Sequence, residues 1–102
     1  MASHPAPDDM AAVYMAEVER QCDADPALSH LAAGILAGAV LNVAQDSRSF
    51  ARLLGVEHAL VLREVELLST SGHLAVTRRD GRTQRTFYAL DTQIPAPAND
   101  AA

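Results

Sequence analysis

The sequence predicts an α+β chain, mostly helical, with four helices followed by a two-stranded hairpin in the order α-α-α-α-β-β. Three observations predict it. Between residues 9 and 70, apolar residues recur at helical spacing, punctuated by cap-forming residues. After Gly72 the period changes from helical to alternating. Asp80-Gly81 then separates two short strand-like runs, as a hairpin tip does.

The elements follow in order. Residues 1–8, MASHPAPD, are Pro-rich and polar and read as a flexible N-terminus. Asp8 or Asp9 can cap a first helix over 9–22, with Ala11, Tyr14, Met15, Val18 and Cys22 on one stripe. Asp25-Pro26 reads as the start of a second helix over 27–44, because Asp caps and Pro suits the first helical position. Only Ser29, His30 and Asn42 interrupt its apolar surface, so it belongs at the centre of the core or of a dimer. Gly34, Ala37, Gly38 and Ala39 leave room there for a neighbouring helix. Asp46-Ser47 caps a short third helix over 48–54, and Gly55 ends it. A fourth helix runs over 57–70, with Gly72 just beyond. Leu74, Val76 and Arg78 alternate with Ala75 and Thr77 in a strand over 74–78, and a second strand covers 85–90. Residues 9–91 thus form one domain, and 92–102 a flexible tail.

Composition narrows the function classes. Hydrophobic residues make up 49% of the 102 residues and aromatics only 4%, which implies a modest core of Ala, Leu and Val. Such a core favours an oligomer. The single cysteine, Cys22, cannot form an internal bridge and reads as a packed core thiol. The opening residues lack a signal-peptide pattern, and the longest apolar run, Leu31–Val43, is too short for a bilayer. The expectation is a soluble, cytoplasmic protein with no membrane contact. The formal net charge is −5, yet residues 69–90 hold four Arg and one Asp, a net +3. That segregation favours a local contact with a polyanion.

Residues 49–68, SFARLLGVEHALVLREVELL, resemble a helix-turn-helix. Two short helices crossing steeply need a small residue at the contact, here Ala51, and a turn residue tolerant of positive φ, here Gly55. Phe50, Leu54, Val56, Val61, Val65 and Leu68 are the expected shared core. The continuation through Gly72 to a basic hairpin resembles the winged helix-turn-helix regulators of the MarR and ArsR families. The matching residues are Ala51, Leu54, Gly55, Val61, Leu68, Gly72, Asp80, Gly81, Arg82 and Tyr88.

That resemblance implies a dimeric transcriptional regulator, expected to be a repressor, with an added N-terminal dimerisation helix. Helices 9–22 and 27–44 would hold the homodimer together. Helix 57–70 would read the major groove of double-stranded DNA, with Glu57, His58 and Arg63 at its face. Arg78, Arg79, Arg82, Thr83, Gln84 and Arg85 of the wing would meet the backbone or minor groove. Arg48 and Arg52 would join from the third helix. The exposed positions of helix 57–70 are otherwise poor in donors, and Leu60 and Leu62 also fit a protein-contact face. The alternative is therefore a winged-helix protein-interaction module. No ligand spacing joins His4, His30, His58 and His73, so no metal site is expected. No nucleophile–base pair stands out either, so neither an enzyme nor a cofactor is expected.

Overall fold

The computed structural model describes residues 7–90, with the side chains of residues 7 and 8 left aside. The tail at 92–102 and most of the N-terminal segment at 1–8 lie outside the described residues. The elements are α1 (Pro7–Ala24), α2 (His30–Val40), α3 (Ser47–Leu54), α4 (His58–Thr70), β1 (Leu74–Arg79) and β2 (Thr86–Leu90). The expected order α-α-α-α-β-β is the observed one.

The first two helices differ from expectation at their ends. α1 begins at Pro7, inside the segment expected to be flexible, with proline at its first position where no N–H is required. It continues past Cys22 to Ala24, and Pro26 then holds Asp25 out of helical geometry. The Asp25 carboxylate does not cap α2. It accepts the Ala27 N–H at 3.0 Å, while its carbonyl accepts the Leu28 N–H at 3.0 Å, which makes a turn. Ser29 is the true N-cap and accepts the Ala32 N–H at 3.0 Å. α2 stops at Val40, not residue 44, because Asn42 adopts φ 58° and the Val43 N–H donates back to the Gly38 carbonyl at 2.8 Å.

Two more helices end in the same way. Gly55 sits at φ 69° while the Val56 N–H donates to Ala51, and Gly72 sits at φ 86° while the His73 N–H donates to Leu68. Each left-handed residue turns the chain and satisfies a carbonyl that the helix leaves unpaired. Asp46 caps α3 by accepting the Ser49 N–H at 2.9 Å.

The strands pair antiparallel, with Leu74 opposite Leu90, Val76 opposite Tyr88 and Arg78 opposite Phe87. Thr77 is an extra residue on β1, a bulge that breaks the simple alternation of Leu74, Val76 and Arg78. Arg78 is thereby turned to the Phe87 face, away from Tyr88. Gln45 and Asp46 add a short bridge to the far edge of β2, through the Tyr88 N–H donating to the Gln45 carbonyl at 3.1 Å.

The main core joins Ile35 and Leu36 of α2, Phe50 and Ala51 of α3, Val61, Val65 and Leu68 of α4, Leu74 and Tyr88. Leu54, expected in it, is 42% exposed, since Gly55 turns the chain just beyond it. Every residue of α2 from Ala32 to Ala39 is buried by the chain itself. The middle of α2 thus lies in the core of the chain. α1 packs on it through Val18, Ala33 and Ala37, with Tyr14, Cys22 and Leu28 at the margin. Its outward residues Met10, Val13 and Met15 are exposed.

The α1–α2 contact depends on a missing side chain. The Tyr14 hydroxyl donates to the Gly34 carbonyl at 2.9 Å, and a Cβ on Gly34 would stand 2.8 Å from that hydroxyl. Gly34→Ala is expected to displace Tyr14 and destabilise the fold by about 1–2 kcal/mol in denaturant titration. In a Tyr14→Phe background the obstacle is gone. There the same substitution is expected to be neutral or to stabilise by up to about 1 kcal/mol, because Ala outranks Gly in a helix. Equal losses in both backgrounds would rule out this cause.

Candidate nucleic-acid interface

A buried hydroxyl organises the basic end of the molecule. Ser47, the first residue of α3, is fully buried. Its Oγ accepts the Thr86 N–H of β2 at 2.9 Å and lies 2.7 Å from Nε2 of His58, the first residue of α4. With Oγ accepting from the backbone, its single proton suits a neutral imidazole that accepts at Nε2. Burial, then the Arg48 charge, holds His58 below the usual histidine range. His58, expected at the DNA face, is therefore half-buried in the α3–α4–β2 junction and occupied internally.

The arginines around this junction divide into two sets. Arg48 donates from Nη2 to the Thr83 carbonyl at 3.0 Å, so α3 supports the hairpin loop directly. Arg85 lies 3.4 Å from the Asp46 carboxylate. Arg78 stacks over Phe87, 4.1 Å from the ring centroid, an arrangement the Thr77 bulge makes available. Arg79 donates both terminal nitrogens to the two carboxylate oxygens of Glu66 on α4. Those bonds hold the Glu66 carboxyl below the usual carboxylate range. By contrast, the side chains of Arg52 on α3, Arg63 on α4 and Arg82 in the loop make no hydrogen bond or ion pair with other described residues.

The loop itself is wider than a two-residue turn at Asp80-Gly81. The Gln84 N–H donates to the Asp80 carbonyl at 2.7 Å, and the Asp80 N–H donates to the Arg85 carbonyl at 2.9 Å. Gln84 takes the left-handed conformation, φ 62°, so the positive-φ residue of the loop is Gln84 and not Gly81. The Asp80 carboxylate accepts the Arg82 N–H at 3.0 Å and is held below its usual range, first by that bond. Arg82, Thr83 and Gln84 remain exposed at the tip.

Two open clefts border these elements. One, of about 250 Å³, is lined by Arg48, Ala51, Arg52, Val56 and His58, beside the N-terminus of α4. Two guanidinium groups at a helix N-terminus suit an anion such as phosphate. The other, of about 270 Å³, is a trough between α4 and the hairpin, lined by Leu62, Glu66, Arg79, Asp80, Gly81, Gln84 and Thr86. Leu62 thus faces the hairpin, whereas Leu60 and Leu67 are exposed. Glu57 is exposed just before α4 and makes no side-chain cap. Ser47, Asp46, Glu66 and Phe87 were not among the expected interface residues. Asp46 and Ser47 carried a signal, as the expected cap of the third helix.

A Ser–His–Asp alignment lies elsewhere. His73 stands 2.6 Å from Ser71 Oγ through Nδ1 and 2.9 Å from the Asp25 carboxylate through Nε2. It clasps the α1–α2 turn to the α4–β1 turn. Ser71 donates to the Leu68 carbonyl at 3.1 Å and sits at the carbonyl end of α4, where the helix dipole opposes an oxyanion. That placement argues against acyl transfer. Among the described residues, no three His, Cys, Asp or Glu gather in a metal-binding group, and no helix is long and apolar enough to cross a membrane.

The His58 environment sets a pH dependence. Its folded pKa lies below the ordinary 6.5, so between the two values the unfolded chain binds more protons. This contribution to stability is complete above 6.5 and is lost as pH falls through 6.5 towards the lower folded value. Melting temperature is expected to fall between about pH 7.5 and pH 5, with a shallower fall in His58→Gln. An unchanged slope in that variant would assign the effect to other groups. No family model matches the chain, and no match is found among curated proteins or solved structures.

Proposed function

We infer that the chain is a small winged helix-turn-helix regulator that binds duplex DNA as a homodimer. One observation carries this reading. α4 and the hairpin wall a common trough, and three arginines of the basic end have side chains without partners among the described residues: Arg52 on α3, in the cleft beside the start of α4, Arg63 on α4 and Arg82 at the loop tip. An exposed guanidinium without a protein partner is suited to a phosphate oxygen. α4 would lie in the major groove, with Glu57 and Arg63 near base edges. The hairpin tip, with Arg82, Thr83 and Gln84, would follow the backbone or enter the minor groove. Arg48 and Arg52 would hold a phosphate at the start of α4. With so few donors on α4, phosphate contacts supply most of the affinity and base readout is modest.

Because Ala32–Ala39 of α2 are buried within their own chain, the dimer surface would come chiefly from α1, through Met10, Val13 and Met15, with Val40 at the exposed end of α2. Two α4 helices about 34 Å apart would then match one turn of duplex. Such a dimer would repress by covering a promoter, inside the cytoplasm and without catalysis. A second reading, a protein-interaction module, draws on Leu60 and Leu67, 48% and 54% exposed on α4.

The test is a salt-dependent duplex titration. Replacing Arg63 and Arg82 with Ala together is expected to weaken binding at least about tenfold and to flatten the log–log salt slope by about two. Wild-type protein that binds no duplex even at low salt would favour the interaction module. Unchanged affinity and slope in the variant would remove these two arginines from the interface.

A further inference from the structure

The geometry points to Glu66 as an intramolecular competitor of the nucleic-acid phosphate for Arg79, so that the protein carries its own brake on duplex binding. This rests on the DNA-binding reading above. Glu66 lies on α4 and Arg79 at the end of β1. Their side chains span the trough between α4 and the hairpin, and both carboxylate oxygens are used. A fork of two parallel N–H donors is the same arrangement by which arginine grips a phosphate. While Glu66 occupies that fork, a phosphate arriving in the trough finds the site filled and a carboxylate beside it.

The pair is also built to open. Its side chains are 55% and 49% exposed, unlike the buried Ser47 junction nearby. An exposed ion pair is weak and is screened by salt, so a ligand can exchange with it. A purely structural tie between α4 and the hairpin would gain little from this position, because Arg48 and Ser47 already fasten the hairpin to the helices. Asp46 opposes Arg85 in the same sense, but at 3.4 Å through one nitrogen and against a carboxylate that also caps α3. The Glu66 carboxylate has no other hydrogen-bond partner among the described residues.

The experiment uses the full chain and a fluorescein-labelled duplex of about two helical turns, followed by anisotropy across about 50–200 mM salt. Glu66→Gln is expected to tighten binding by about 3- to 10-fold at low salt and to steepen the salt slope by about one. Glu66→Ala, a good helix former, is expected to do the same, which guards against a misfolded first variant. Arg79→Gln alone is expected to change affinity by less than about twofold, and in the Glu66→Gln background to abolish the gain. Weaker or unchanged binding in both Glu66 variants would overturn the proposal, as would a gain that survives loss of Arg79. If the wild-type chain binds no duplex, the DNA reading falls and this proposal with it. If the wild type binds and only the gain is missing, the brake alone is wrong.

Discussion

The Ser47 hydroxyl is the constraint on which the basic end of the molecule depends. It is small and fully buried, and it meets three elements at once: its own α3, the first residue of α4, and the first residue of β2. A buried hydroxyl without partners would cost about 1–3 kcal/mol, so the site tolerates only arrangements that satisfy it. That requirement fixes where β2 starts relative to the two helices. The loop, its arginines and the trough beside α4 inherit their positions from it. Asp46, one residue earlier, adds a cap for α3 and a counter-charge for Arg85.

The other half of the chain is arranged around small residues. Gly34 admits the Tyr14 hydroxyl and Gly38 faces Phe50, so α1 and α3 both approach α2 closely. An alanine- and glycine-rich helix brings little apolar area of its own, and it contributes by letting larger neighbours reach each other. Three acidic residues of α1 stay on the outside of this layer. Asp9, Glu19 and Asp23 are exposed, and the one buried acid, Glu17, is held charged chiefly by the Arg20 hydrogen bond.

What could be read from the sequence was what is decided locally. Gly55 and Gly72 announced helix ends because the left-handed conformation they adopt is open to few other residues. Asp46 announced α3 because capping is a three-residue interaction. Asn42 performs the same task as the glycines but was hidden, since asparagine in an apolar run also reads as a tolerated interruption. Asp25-Pro26 misled because a carboxylate before proline closes a turn as readily as a helix, and Ser29 stood closer to the apolar run. The candidate interface was legible as a charge pattern but not as a geometry. Which arginines stay unpaired depends on Glu66, Asp46 and Thr83, and those partners are brought in by folding. The Thr77 bulge is equally non-local, because register exists only between strands.

The bridge from Gln45 and Asp46 to β2 has a consequence for the protein in concentrated solution. A hairpin of two strands has two open edges, and each is a template on which another chain can pair. Here the outer edge of β2 is occupied where Tyr88 donates to Gln45, and on β1 the Thr77 bulge interrupts the regular row of donors and acceptors. Charged Arg78 and Arg79 follow that interruption. The element that carries half of the basic residues is thus also poorly suited to cross-β stacking, so many copies can crowd together without knitting into a fibril.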